Sequence, residues 1–355
     1  MSSAALTALA SATLFGASTP LAKLLLGGGT DPWLLAGLLY LGSGVGLSLV
    51  RAGRRLAGVA EIEAPLRAAD IPWLAAIILA GGVAGPGLLM LGLSTTSASS
   101  ASLLLNVEGL ATMAIAWLVF RESVDRRLLL GAFAILGGAA LLSWRGGPAG
   151  LGIGGLAILG ACVAWGIDNN LTRKLSSADP VQITVIKGLV AGAANLALAF
   201  AHGARLPSAA GIAAAGVLGF FGYGVSLVLF VLALRRLGAA RTGAYFSTAP
   251  FLGAAISLAI FHEPPTLRLG AAAILMGLGV YLHLSERHEH EHTHEALDHE
   301  HSHTHDAHHR HAHGPNDPIG EPHAHRHRHA PLRHKHPHYP DLHHRHGHAT
   351  GEPGE

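Results

Sequence analysis

Two carboxylates, several amides and an amine stand where the surrounding sequence offers them no water. Glu108 lies in "LLLNVEGL", two residues after Asn106; Asp168, Asn169 and Asn170 follow one another in "WGIDNNLT"; Lys187 lies in "QITVIKGLV", with Asn195 two turns further on. Ionisable groups within apolar spans are costly and tend to face a cavity or each other. A carboxylate so placed can hold a proton or give it up in exchange for a substrate cation, and Glu108, central in its run, is the first choice for that role. The structural alternative is a hydrogen bond or an ion pair with Lys187. Asp168 stands nearer the end of its run and can reach the interface, and Lys187 can extend its stem the same way. Pro20 and Pro250 each remove a backbone donor and free a carbonyl, so both are expected to interrupt their helices. Beside Pro250, the hydroxyls of Tyr245, Ser247 and Thr248 can bond a polar substrate or a neighbouring helix.

A different chemistry is gathered at the C-terminal end, where residues 286–355 carry 23 of the 26 histidines. Its first stretch, "ERHEHEHTHEALDHEHSHTHDAHHRHAHG", holds His288, His290, His292, His294, His299, His301, His303, His305, His308, His309, His311 and His313. In an extended chain, residues i and i+2 project to one side, so His-x-His offers two imidazoles to one ion. Imidazole suits Zn²⁺, Ni²⁺, Co²⁺ and Cu²⁺, with Asp and Glu as further ligands. The same histidines titrate near pH 6.5, which makes a pH sensor the second reading. A tolerated low-complexity extension is the bland one. With almost no aliphatic residues the segment cannot bury enough apolar area to fold, and it is expected to be disordered.

The elements that must hold the first group are long and apolar. Half of the 355 residues are hydrophobic and only 13% are charged. A spanning helix needs roughly 20 apolar residues, and ten such stretches run at about 3–26, 33–51, 72–92, 98–120, 127–144, 151–172, 181–201, 211–234, 238–261 and 267–285. All are rich in Gly and Ala, which lets helices approach closely in lipid. Ten near-continuous spans argue against a soluble protein with buried helices. Cys162 is the only cysteine, so a disulfide framework and a cysteine metal site are excluded. The N-terminus lacks the basic region of a secretory signal and reads as a retained first span. No nucleophile–base pair or metal triad marks the spans as an enzyme's, no cofactor is required, and nothing points to nucleic acid.

Two stretches repeat: "AIAWLVFRES" at 114–123 and "AISLAIFHEP" at 255–264 lie 141 positions apart. The similarity extends on both sides, so an internal duplication is implied. With the N-terminus inside, twelve Lys and Arg fall in inner loops and four (Lys23, Arg145, Arg205, Arg268) outside, which puts both termini in the cytoplasm. Five spans per copy is an odd number, so the second copy enters the membrane upside down. Inverted repeats of this kind build secondary transporters, with a site near the midplane.

The pattern resembles the drug/metabolite transporter superfamily, in its EamA-type branch. The resemblance rests on "LFGASTPLAKLLL" and "AWGIDNNLTRKLS", which align Gly16 with Gly166 and Lys23 with Arg173, and on the Phe-x-Glu ends at Glu122 and Glu263. It implies an all-α integral membrane fold: one five-helix repeat over 1–145, a second over 146–285, and the tail from 286 to 355 outside it. It also implies a cavity lined by spans 1–4 and 6–9, and outward movement of a small metabolite or drug-like solute with proton coupling or exchange, in a multi-pass protein of the bacterial inner membrane. Glu122 and Glu263 read as residues that hold the turns between spans, Glu122 beside Arg126 or Arg127. A transition-metal exporter with the tail as ion collector is the alternative. It ranks lower, because His202, His262 and His283 all lie at helix ends and Cys162 is alone. Spans 5 and 10 could pair in a homodimer or pack within their own bundle.

Overall fold

The computed structural model describes residues 3–59, 65–120, 126–144, 152–172, 175, 178–284 and, in the tail, 289–294, 297–303, 323–329 and 332–337. The body is all-helical. The first half comprises α1 (Ser3–Gly27), α2 (Pro32–Leu56), α3 (Ile71–Ile77), α4 (Gly85–Thr95), α5 (Ala98–Leu104), α6 (Val107–Phe120) and α7 (Arg126–Ser143). The second comprises α8 (Ile153–Thr172), α9 (Pro180–Ala201), α10 (Ala209–Gly219), α11 (Ser226–Phe246), α12 (Ala249–Phe261) and α13 (Leu267–Leu284). Seven helices among the described residues, counting joined pieces together, are long and apolar enough to cross a membrane, and Ala249–Phe261 and Leu267–Leu282 are shorter apolar helices.

The halves share their irregularities. A π-turn joins α3 to α4 at Ile78–Ala84, and another joins α10 to α11 at Phe220–Val225. The fourth span breaks at Leu105–Asn106, and its counterpart breaks at Ser247–Thr248. Asp31 and Asp179 each cap the helix that begins with the next residue, Pro32 or Pro180, by accepting from Leu34 N at 3.0 Å and from Val181 N at 2.8 Å. An acidic cap followed by proline in the first turn starts a helix twice over, since the proline has no N–H to leave unsatisfied.

Neighbour relations obey the same pseudo-symmetry. The second spans of the two halves, α2 and α9, pack on each other, as do the fifth, α7 and α13. α1 packs on α11 and α12 of the other half, and α8 packs on α4 and α6. At the α2–α9 crossing the backbones touch: a Cβ on Gly188 would fall 2.7 Å from Gly44 Cα. Polar side chains tie helices elsewhere, as where Ser11 Oγ donates to Ser226 O at 2.7 Å and Ser226 Oγ returns a bond to Ser11 O at 3.0 Å. The α7–α13 pair uses faces that the sequence also left open for a homodimer; Gly138 lies against Met276 and Ala272.

Two expectations are corrected. Pro20 does not interrupt its helix, because α1 runs from Ser3 to Gly27 with the proline inside. The eighth and ninth spans are not separated at 235–237, where an inner loop carrying Arg235 and Arg236 was expected between 211–234 and 238–261. Instead α11 continues to Phe246, since nothing in "LRRLGAARTGAYF" forces a helix to stop. The tail adds backbone pairing to a segment that has no apolar core: β1 (Glu289–His294) pairs with β4 (Leu332–Pro337), and β2 (Leu297–His303) with β3 (His323–His329), both antiparallel.

Candidate functional site

Three consecutive residues of α8 knit three helices together. Asp168, buried at 6% exposure, accepts from Lys187 Nζ on α9 at 2.5 Å and from Thr172 Oγ1 at 3.3 Å. Asn169 Nδ2 donates to Glu108 Oε1 at 3.0 Å and to Thr112 Oγ1 at 3.2 Å, both on α6. Asn170 Nδ2 donates to Thr112 O at 3.0 Å and to Gly166 O at 2.8 Å. Lys187 therefore neither extends to an interface nor pairs with Glu108; it is 8% exposed and held by Asp168. A lysine beside an aspartate loses less on leaving water than either alone, because each supplies the other's missing counter-charge.

The π-turn of the first half supplies the floor. Widening one turn leaves carbonyls without a helical donor, and side chains from three helices answer. Tyr40 Oη donates to Gly81 O at 2.7 Å, Trp165 Nε1 to the same oxygen at 3.0 Å, and Asn195 Nδ2 to Gly82 O at 2.8 Å. Asn195 is thereby a structural group. Gly81 also lets the aspartate in, since a Cβ there would strike the Asp168 carboxylate. Tyr40, Trp165 and Gly81 were not singled out by sequence reasoning; the run "AGGVAG" at 80–85 was the only signal. Above them an aromatic group spans both halves. Phe15 meets Trp165 edge-on at 6.3 Å and Tyr223 at 6.1 Å, and Tyr40 meets Tyr223 at 5.5 Å.

The helix breaks position the rest. Glu108 occupies the first turn of α6, where a negative charge complements the helix dipole, and it is half-buried while Asn169 is exposed. Asn106 sits in the break, 7% exposed, its Nδ2 donating to Leu103 O at 2.9 Å and reaching Met276 Sδ at 3.9 Å; it serves the end of α5. Pro250 starts α12 after the second break, as expected of it. Tyr245 contributes its backbone carbonyl, which accepts from Thr248 Oγ1 at 2.6 Å. Pro20, with no N–H, leaves the Gly16 carbonyl without its helical donor, and that oxygen faces Gly253 of α12. Gly16 lies against the Ala249 backbone and Gly166 against Ala111 and Thr112, so the two aligned glycines make matching close approaches to the broken helices.

Glu263 does hold a junction, across the halves. It accepts from Ala98 N at 3.0 Å, Ser99 N at 3.4 Å and Ser99 Oγ, and so caps α5. Lys23 Nζ donates to Leu93 O at 2.5 Å and Ser94 O at 3.3 Å, closing the end of α4. Glu122 lies outside the described residues, as do His288, His305, His308, His309, His311 and His313; His290, His292, His294, His299, His301 and His303 fall in strands. Among the described residues no group of three or more His, Cys, Asp or Glu gathers within reach of one ion.

Two inverted helical halves, broken at matching points around a polar centre, make a membrane protein of the secondary-transporter class. Residues 2–144 and 152–285 each match the EamA-like transporter family, and the chain belongs to it. It is also similar to an uncharacterized transporter of Methanothermobacter thermautotrophicus (strain Delta H), 29% identical over 288 residues, which are 76% of this chain and 82% of that one. Its fold is similar to that of a solved crystal structure with a TM-score of 0.57 at 19% identity, covering 79% of this chain and 95% of the other.

Proposed function

We propose that this membrane transporter exports a small metabolite or drug-like solute by alternating access, with Glu108 exchanging a proton for the solute. The observation that carries the reading is the contrast in exposure between two carboxylates. Asp168 is sealed against Lys187, whereas Glu108 is half-buried at a helix break and bonded to an exposed amide. A carboxylate already bonded to a buried ammonium is committed to that partner; one at an accessible edge can exchange its partner for a proton or a solute.

The coupling follows from the bond itself. An N–H donating to an ionised carboxylate makes a bond roughly twice as strong as one to a neutral acceptor. Protonation of Glu108 loosens the Asn169 tie between α6 and α8, one of the seams between the halves. Solute and proton then compete for the carboxylate, and the halves rock about the α2–α9 crossing. On this reading Asn106, Tyr245, Pro20 and Pro250 shape the path through the breaks without carrying charge. The protein sits in the bacterial inner membrane with both termini in the cytoplasm, and the tail binds Zn²⁺, Ni²⁺, Co²⁺ or Cu²⁺ there.

Counterflow in proteoliposomes tests the mechanism. Glu108→Gln should abolish proton-driven transport and leave proton-independent exchange of the solute in place, with normal yield of folded protein. Unchanged proton-driven transport removes Glu108 from the mechanism.

A further inference from the structure

At one end of the bundle, helix ends from both halves enclose a cavity of about 200 Å³. The first half brings Thr95, Thr96, Ser97 and Ser100, around the end of α4 and the start of α5, and Ser143, the last residue of α7. The second brings Gly152 and Gly155, at the start of α8, and Arg268 of α13. Two of the hydroxyls are buried and unspent. Ser143 is 5% exposed and its Oγ has no hydrogen-bond partner among the described residues, nor has Thr96 Oγ1. A buried hydroxyl without a partner is costly, so two at one cavity point to an occupant that supplies the missing bonds. Glycines let them converge there: a Cβ on Gly154 would strike Thr95 Oγ1 and Thr96 Oγ1, and one on Gly155 would fall 2.8 Å from Ser143 Oγ.

The lining offers donors and positive charge. First-turn N–H groups of a helix have no acceptor within it, and at the start of α8, 20 residues long, they present the positive end of its dipole. Arg268 donates through Nε to Leu141 O and through Nη2 to Trp144 O, which uses two of the five N–H groups of a guanidinium and holds it at the cavity. Lys23 Nζ adds a second cation on the carbonyls of Leu93 and Ser94, just before Thr95 in the chain. No acidic residue is among those that line the cavity, and Glu263 is spent on the start of α5. Hydroxyls, backbone N–H groups and a guanidinium arriving from several elements suit an anion with oxygens on every side; a planar carboxylate leaves some of them empty. We infer that this cavity binds a phosphate group, free or carried on a lipid headgroup. Its place at helix ends, beside the exposed side chains of Trp144 and Arg268, is at headgroup level, where both sources reach it. It shares no lining residue with the Glu108 centre.

The test uses the full chain, stripped of lipid in detergent, at about pH 8 with a chelator present, so that the tail histidines are neutral and metal-free. Inorganic phosphate is titrated by calorimetry. Phosphatidylglycerol is counted by native mass spectrometry against diacylglycerol, which has the acyl chains without the phosphate. Arg268→Gln should weaken binding on the order of ten-fold, as loss of a charged donor does. Because Arg268 also closes the end of α7, Ser143→Ala is the second variant. It should weaken binding about three-fold and leave the unfolding temperature equal or higher, since it removes a buried hydroxyl that has nothing to bond. Both effects seen with inorganic phosphate assign the site to the free ion. Both seen with phosphatidylglycerol, with no inorganic phosphate bound, assign it to a headgroup. Failure of both probes to bind, retention of diacylglycerol equal to that of phosphatidylglycerol with no inorganic phosphate bound, or binding that neither variant weakens overturns the site.

Discussion

The two halves of the body share a frame and differ in what they load onto it. Both start their second span with Asp-Pro, both widen the third at a π-turn, and both break the fourth. Placing the breaks in register puts Glu108 opposite Pro250. Placing Gly16 on Gly166 puts Ser18 opposite Asp168, Thr19 opposite Asn169 and Pro20 opposite Asn170. Placing the Asp-Pro starts together puts Leu39 opposite Lys187. Every charge of the polar centre thus comes from α6, α8 and α9, and the matching positions are neutral. Symmetric packing supplies two equivalent ways for the halves to lean, while the chemistry sits on one side of the symmetry. A lopsided centre in a balanced frame lets protonation favour one lean over the other.

The comparison breaks most sharply at its charged positions. Glu108→Gln should eliminate proton-driven transport, whereas Pro250→Ala should only slow it; equal losses in a vesicle flux assay would mean that the two breaks contribute alike. Next in size, Lys187→Met strands the Asp168 carboxylate and should cost about 3–5 kcal/mol. Adding Asp168→Asn should recover much of that loss, while Ser18→Ala at the equivalent position should cost under about 1 kcal/mol. Denaturant unfolding in detergent reads all three. On the shared frame, Gly188→Leu should destabilise by about 1–3 kcal/mol or more, because it drives a side chain into the α2 backbone, while Gly109, with nothing within 4 Å of an added Cβ, should accept alanine without loss. Smallest are the changes at the cross-half cap. Glu263→Ala should cost about 1 kcal/mol through the start of α5. His262→Gly should stabilise by about as much, because His262 ends α12 at φ 51 and glycine adopts that conformation without strain.

Spans and duplication were legible in the sequence because both are properties of long runs: apolar length for the spans, and a fixed offset for the repeat. Helix ends and breaks were harder. Pro250 announced its break, but the matching one at Leu105–Asn106 has no proline and is marked only by an asparagine that bonds back to Leu103. Pro20 misled in the other direction, since a helix held by neighbours on both sides can carry a proline by leaving one carbonyl free. Arg235 and Arg236 read as part of a loop because basic residues gather at interfaces, yet arginine is also a good helix former. Glu108 and Asp168 were visible as carboxylates in apolar surroundings. Their partners were not: Lys187 reaches Asp168, and Asn169 reaches Glu108, through packing of helices that no spacing along the chain encodes. The π-turns left no residue signature beyond a cluster of glycines.

Those π-turns bear on the molecule's history. Each inserts one residue into a helix that would otherwise be regular, a fault that costs hydrogen bonds and needs help from neighbouring side chains, as Gly81 and Gly82 show. Finding the fault at the same place in both copies, once among glycines and once in "FFGYGV", dates it. The extra residue was present in the ancestral five-helix unit before the gene doubled, and later divergence kept the widened turn while rewriting almost everything that lines it.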